Sequence, residues 1–297
     1  MPCGAAWTGK RILVCGGNGF IGRHLVERLR RIGDTVMVAS RSAHGPGQIT
    51  LDLSNRSSVD SVLSACPFDA VYNCAGIIDQ SIATDQYTRM VQQLLTPAIN
   101  LAESMQVLQP GVRLIHLGTN AEYGNAPVPH GLETVCTPNS AYGAIKLAIT
   151  QCLQAKARSE GFNVVVVRPF FVYGSGAPAS NFLNILLSAA KEGNEFKTSP
   201  GEQTRDLIHV DRVVDMLILA LDASIQKGVV LNACTGVEIS VKSLLQIVKR
   251  AYRDFRPNIG AIPYRATEIM RSAGCLDIKM NRQLAINELK KFIRFGR

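Results

Sequence analysis

The stretch "RILVCGGNGFIGRHLVERL", residues 11–29, reads as an apolar strand, a glycine turn and an amphipathic helix in immediate succession. Gly16, Gly19 and Gly22 fall at three-residue intervals across the turn. Glycine spacing alone is a weak signal, because any tight turn can use it. Directly after a strand and at the opening of a helix it says more. Backbone N–H groups and the helix N-terminus converge there, and absent side chains let a pyrophosphate approach the backbone. Gly16, Gly19 and Gly22, with the helix-opening Phe20 and Ile21, are therefore the expected cradle for a dinucleotide.

Outward from this stretch, short β-branched runs alternate with amphipathic segments. The strands read as "TVMVAS" 35–40, "AVYNCA" 70–75, "VRLIHLG" 112–118 and "NVVVVRP" 163–169, and helices fall near 20–32, 57–64, 85–107 and 141–160. Apolar strands joined by crossover helices predict an α/β architecture, a doubly wound parallel sheet covered on both faces. After residue 174 the alternation loosens through "GSGAPAS" and "TSPGEQT", and "VVLNAC" 229–234 restores it. The expected organisation is a dinucleotide-binding domain over 1–174, rejoined by 206–235. A smaller C-terminal substrate lobe would comprise 175–205 and 236–297.

With 297 residues, 46% hydrophobic and 19% charged, the chain has ordinary globular composition and enough length for a large core. Its apolar runs, such as "VVVV" 164–167 and "MLILAL" 216–221, are too short to cross a bilayer. The opening "MPCGAAWTGK" holds no apolar run long enough for a secretory signal, so a cytoplasmic location without membrane partners is expected. Eight cysteines form no CxxC pair, and Cys15, Cys74, Cys152 and Cys234 sit in apolar patterns. Buried reduced thiols are expected, with no metal site. The net charge of +9 is concentrated late, residues 249–297 carrying twelve Lys/Arg against four Asp/Glu. Without interleaved aromatic platforms or a nucleic-acid motif, this reads as solvated helix faces or as a field attracting a small polyanion.

The second strand should end beside the adenosine ribose, about 20 residues after the glycine turn. An acid there would favour NAD. "VASRS" instead supplies Ser40 and Arg41, and Asp34 lies at the strand's other end. A guanidinium suits a phosphate dianion, so NADP (as NADPH) is the expected cofactor and NAD the less favoured one. In "TLDLS", Asp52 and Leu53 suit the adenine edge, Asp52 alternatively serving as a helix N-cap.

"NSAYGAIKLA", residues 139–148, places Tyr142 and Lys146 one turn apart on a helix face. A free phenol, with a pKa of ~10, is a poor acid–base group near neutrality without help. Lys146 could supply positive charge beside it. Thr119, just past a strand end in "LIHLGTNAEYG", could hold a substrate oxygen or cap local backbone.

Together, "GGNGFIG", "DL" at 52–53, "NCAG" at 73–76, "TNAEYG", "YGAIK", "RPFFVYG" and "GEQTRDLIHVDRVVD" resemble the extended short-chain dehydrogenase/reductases, within the NAD(P)-dependent nucleotide-sugar epimerase/dehydratase/4-ketoreductase family. The resemblance covers nearly the whole chain. It implies a Rossmann domain with a smaller substrate lobe and homodimers built through the helices near 85–107 and 141–160. By that resemblance Thr119, Tyr142 and Lys146 occupy catalytic positions, and Lys146 also binds the nicotinamide ribose. Backbone at Ala75 and Pro169 would pass close to the cofactor. Asn120 would join Thr119 and Tyr142 at the sugar. Asn181 and Arg205 match positions contacting the nucleotide pyrophosphate, with Arg265 or Arg271 adding to that grip. His209 and Asp211 match positions that fix the lobe junction, Asp211 as a helix cap.

Two departures bear on the reaction. Dehydratases of this family carry an Asp–Glu pair after the threonine, because eliminating water needs a separate acid and base. This chain has Asn120 and Ala121. Where many relatives have Asn after "RPF", it has Phe171. The expected activity is NADPH-dependent reduction of the C4 keto group of a nucleotide-linked 4-keto-6-deoxyhexose. The alternative is a nucleotide-sugar 4-epimerase, and a third reading is a non-catalytic NADP-binding regulatory subunit.

Overall fold

The computed structural model describes residues 9–43, 45–77, 85–265, 268–275 and 282–296. The opening segment on which the location was argued lies outside the described residues, apart from Gly9 and Lys10. In chain order the first elements are β1 (Arg11–Cys15), α1 (Phe20–Arg31), β2 (Thr35–Ser40), β3 (Gln48–Thr50), α2 (Arg56–Ala65), β4 (Ala70–Asn73), α3 (Gln86–Met90), α4 (Thr96–Leu108), β5 (Arg113–Leu117), α5 (Ala141–Glu160) and β6 (Val164–Pro169). There follow β7 (Phe171–Tyr173), α6 (Phe182–Lys191), β8 (Glu195–Thr198), β9 (Thr204–His209), α7 (Val210–Leu219), β10 (Val230–Ala233), β11 (Glu238–Ser240), α8 (Val241–Ala251), β12 (Arg256–Ile259) and α9 (Arg282–Phe295). A turn of π-helix, Val91–Leu95, joins α3 to α4, and a 3-10 turn, Asn120–Glu122, follows β5.

Seven strands form one sheet in the order β10-β6-β5-β4-β1-β2-β3. The pairs β1–β2, β1–β4, β2–β3, β4–β5 and β5–β6 are all parallel. Ile12, Leu13, Val14 and Val164 to Val167 are fully buried, which is why these strands read as continuous apolar runs rather than alternating ones. The chain adds β2 and β3 on one side of β1 and then β4, β5 and β6 on the other. The order reverses at β1, the switch point where open α/β sheets bind ligands beyond their carboxyl ends. The expected doubly wound parallel sheet is present.

Helix ends follow local chemistry. Asn55 caps α2 by accepting from the Ser58 amide, and Ser140 caps α5 by accepting from the Gly143 amide. Gly161 ends α5 at φ 69°, a left-handed conformation that glycine adopts without strain.

The chain divides into two compact units. The first holds the described residues of Met1–Glu122, Ser140–Arg168 and Val214–Leu231, and the second those of Tyr123–Asn139, Pro169–Val213 and Asn232–Arg297. The segment counted with the first unit is thus 214–231, beside the expected return at 206–235. In the first unit Leu13, Val71, Leu101, Leu114, Ile149 and Val166 belong to one buried core. The second has its own, built on Leu186, Leu244, Leu245, Phe255 and Leu289. Its sheets are small, β11-β9-β7 and β12-β8. No described helix is long and apolar enough to cross a membrane.

The described cysteines are free thiols, and Cys15 and Cys234 are buried as expected. Cys152 is exposed. Cys152 lies at the margin of the α5 face that carries the buried Ile149 and Leu153, in a part of the helix where Gln151 and Ala155 are also exposed, so the apolar helix pattern misassigned it. Cys74 is half-buried.

Candidate functional site

The glycine turn leaves β1 at the switch point. Gly16 sits at φ 76°, and a side chain there would stand 2.6 Å from the Ala75 amide nitrogen, just past β4. A methyl at Gly22 would stand 2.2 Å from the Gly16 carbonyl oxygen. The Gly19 amide closes the turn on that same oxygen at 3.0 Å. Gly19 is also the N-cap of α1, with no side-chain capping hydrogen bond and no acid in the first turn. No N-cap side chain therefore accepts from the first-turn N–H groups of Phe20, Ile21 and Gly22, whereas α2, α5, α6 and α8 are each capped by a side chain. Close-packed glycine backbone beside an open helix N-terminus fits a pyrophosphate.

Beyond β2, the Ser40 hydroxyl donates to the Ser42 carbonyl at 2.7 Å, and Arg41 follows, exposed. Asp52 accepts from the Ser54 amide at 2.9 Å and from its hydroxyl at 2.7 Å. These bonds hold the Asp52 carboxyl below the usual range, and the charge of Arg41 adds to the effect. The alternative role of Asp52 as a helix cap is corrected. The cap of α2 is Asn55, and Asp52 closes a short turn ahead of it. Leu53 is buried, its carbonyl accepting from Asn100 Nδ2 at 2.9 Å.

Thr119 lies one residue past the glycine that follows β5, and Tyr142 and Lys146 lie on the first turns of α5. The Thr119 side chain is a hydrogen-bond partner of the Tyr142 phenol, and its hydroxyl accepts from the Ala121 amide at 3.3 Å, the local backbone role weighed for it from sequence. Burial pushes the phenol up to about 12, the bond from Thr119 acting against this and the Glu122 charge with it. Tyr142 thus keeps its proton at neutral pH. Lys146 is pushed down to about 8, chiefly by burial, with Glu122 and Cys74 acting in the other direction. Its Nζ donates to the Leu117 carbonyl at 2.5 Å.

Sequence reasoning missed the groups that hold this cluster. Glu122 is fully buried and accepts from the Thr119 amide at 2.9 Å, the Thr150 hydroxyl at 2.8 Å and Arg168 Nε at 2.8 Å. The one carboxylate close to Thr119 in sequence is thus neutralised by a buried guanidinium rather than poised as a second acid or base. Its signal was a glutamate inside "TNAEYG", but its partner stands 46 residues away. His116, on β5, lies at 2% exposure beside Lys146.

Within the second unit, Asn181 caps α6 by accepting from the Leu183 amide at 3.0 Å and donates to the Val172 carbonyl at 3.1 Å. Arg205 donates to the Thr204 and Ile269 carbonyls, pairs with Glu268 and lies over the Phe171 ring at 5.1 Å. Arg271 is paired through two nitrogens with Glu238, and Arg265 is exposed. His209 Nδ1 accepts from the Asp211 amide at 3.3 Å. The side-chain cap of α7 is therefore His209, a correction to the role expected of Asp211, which sits inside the first turn.

The family model described as NAD dependent epimerase/dehydratase family matches residues 12–234. The chain belongs to that family. Its members in this branch are extended short-chain dehydrogenase/reductases, NAD(P)-dependent enzymes that include nucleotide-sugar epimerases, dehydratases and reductases. The chain is 30% identical over 252 residues to dTDP-6-deoxy-L-talose 4-dehydrogenase (NAD(P)(+)) of Kitasatospora kifunensis, covering 80% of this chain and 78% of the relative. It is 27% identical to the UDP-glucose 4-epimerase of Mycoplasma pneumoniae, covering 72% of each. In fold it is similar to the UDP-glucose 4-epimerase of Thermotoga maritima solved with UDP-glucose, at a TM-score of 0.80, 24% identity and 90% coverage of both chains. Family membership establishes an enzyme and leaves the reaction to be argued from the site.

Proposed function

We propose that this family member is an NADPH-dependent 4-ketoreductase acting on a nucleotide-linked 4-keto-6-deoxyhexose. The observation that carries the reading is the hydrogen bond between buried Thr119 and half-buried Tyr142, in a cluster whose nearest carboxylate in sequence is locked by Arg168. A phenol that retains its proton at neutral pH is suited to protonate a carbonyl oxygen as it gains negative charge. With Asn120 and Ala121 where dehydratases hold an acid pair and Glu122 committed to an ion pair, no uncommitted carboxylate among the described residues follows Thr119 in "TNAEYG" to serve elimination of water. The talose dehydrogenase relative supports chemistry at C4.

In this reading Gly16, Gly19 and Gly22 with the Phe20 and Ile21 amides hold the cofactor pyrophosphate. Ser40 and Arg41 take the 2′-phosphate, and Asp52 and Leu53 line the adenine. Ala75 and Pro169 border the nicotinamide, and Lys146 binds its ribose. The bound cofactor supplies the reducing equivalents. Tyr142 delivers the proton, while Thr119 and Asn120 hold the sugar. Asn181, Arg205 and Arg271 hold the nucleotide diphosphate, with Arg205 and Arg271 exchanging their glutamates for it. The enzyme works in the cytoplasm as a homodimer.

The Mycoplasma relative favours a second reading, 4-epimerisation, because the same three side chains serve it. Purified protein offered GDP-, dTDP-, CDP- and UDP-linked 4-keto sugars distinguishes the two. Stoichiometric NADPH oxidation supports reduction. Sugar isomerisation without net oxidation, or cofactor binding without any turnover, overturns it. Tyr142→Phe should abolish turnover with cofactor affinity intact.

A further inference from the structure

β5 sets a histidine against the lysine of the cluster. His116 Nε2 stands 3.4 Å from Lys146 Nζ, and both side chains are buried. An ammonium group can only donate, so this contact dictates the imidazole's state: Nε2 accepts and the ring proton sits on Nδ1. Nδ1 meets no partner among the described residues. The titratable groups facing Lys146 are Glu122 from the 3-10 turn, Cys74 from beyond β4 and His116 from β5, with the Leu117 carbonyl as its other acceptor.

We propose that His116 is a positioning residue for Lys146, a neutral imidazole that with the Leu117 carbonyl engages two of the three ammonium protons and directs the third toward bound ligand. A carboxylate in its place would lock the lysine as a permanent ion pair. An imidazole accepts without adding negative charge, which leaves Lys146 able to titrate near physiological pH. The arrangement survives mild acid, since burial and the lysine's charge hold the His116 pKa well below its ordinary value. The task assigned to the third proton rests on the oxidoreductase reading, whereas the contact itself does not.

The test therefore begins without substrate. In ligand-free protein, nitrogen-15 NMR of labelled histidine should show His116 as the Nδ1–H tautomer at pH 7. Titration of labelled lysine should place Lys146 in His116→Phe about one unit below the native enzyme, because an acceptor for its charged form is gone. His116→Gln, whose amide oxygen reaches the Nε2 position, should restore the native titration. With NADPH and a turned-over 4-keto sugar, the Phe variant should shift the Lys146-dependent limb of the pH–rate profile by the same unit and lower kcat about tenfold, again reversed by Gln. An Nε2–H tautomer, an unmoved lysine titration, or a Gln variant that behaves like Phe overturns the proposal. If the tautomer and titration hold while no 4-keto sugar is turned over, the positioning contact stands and the proposed reaction is what fails.

Discussion

Replacing Glu122 by alanine should be among the most damaging single changes available to this chain. The carboxylate is fully buried, and the substitution removes the acceptor of the Thr119 amide, the Thr150 hydroxyl and Arg168. Arg168, 4% exposed, would keep its charge and lose the Glu122 carboxylate that neutralises it. Breaking a buried pair from one side costs about 3–5 kcal/mol, most of it the stranded charge. At roughly 2–4 °C per kcal/mol for a domain of this size, the melting temperature should fall by about 10 °C. Urea denaturation followed by circular dichroism measures the difference directly. A double variant, Glu122→Leu with Arg168→Met, removes both charges and should recover most of the loss. A Glu122→Ala enzyme within about 1 kcal/mol of native would refute the argument, as would a double variant no better than the single one.

Three further outcomes follow from the geometry. Gly22→Ala puts a methyl 2.2 Å from the Gly16 carbonyl, and should abolish cofactor binding by fluorescence titration while lowering stability by about 1–3 kcal/mol; an unchanged Kd contradicts the cradle. Glu268→Gln frees Arg205 from its carboxylate and should tighten binding of a nucleoside diphosphate up to about tenfold by calorimetry, whereas weaker binding would make Glu268 a support for the arginine rather than a competitor. Stability should decline as pH rises from 9 toward 12. Cys15 and Cys74 ionise at about 12 instead of 9.0, so the unfolded chain releases those protons first. Lys146, at about 8 instead of 10.5, opposes this with one proton up to pH 10.5, and the two thiols outweigh it. A denaturation midpoint that climbs above pH 9 would reverse that sign.

The sheet was legible because strands buried on both faces must be apolar throughout, and because the turn after β1 had to be built of glycine. Tyr142 and Lys146 were legible because a four-residue spacing puts them one turn apart on a helix face. What could not be read were facts depending on partners distant in sequence. Glu122 looks like a surface acid until Arg168 arrives from β6, and His116 reads as one more strand residue until α5 lays Lys146 across it. Asp52 was weighed as the helix cap, but it is Asn55, three residues on, whose side chain accepts from the Ser58 amide. Arg205 and Arg271 were singled out by resemblance as pyrophosphate contacts, but the glutamates that neutralise them come from 63 and 33 residues away.

The bare N-terminus of α1 has a consequence outside catalysis. A helix whose opening amides have no acceptor of their own is completed by whatever anion docks there, so the coenzyme would act as a missing piece of the fold. Its binding would add RT ln(1 + [L]/Kd) to the free energy of unfolding. Proteolytic turnover of the chain would then slow when coenzyme is plentiful and quicken when it is scarce, coupling how much of the protein persists to how much coenzyme is at hand.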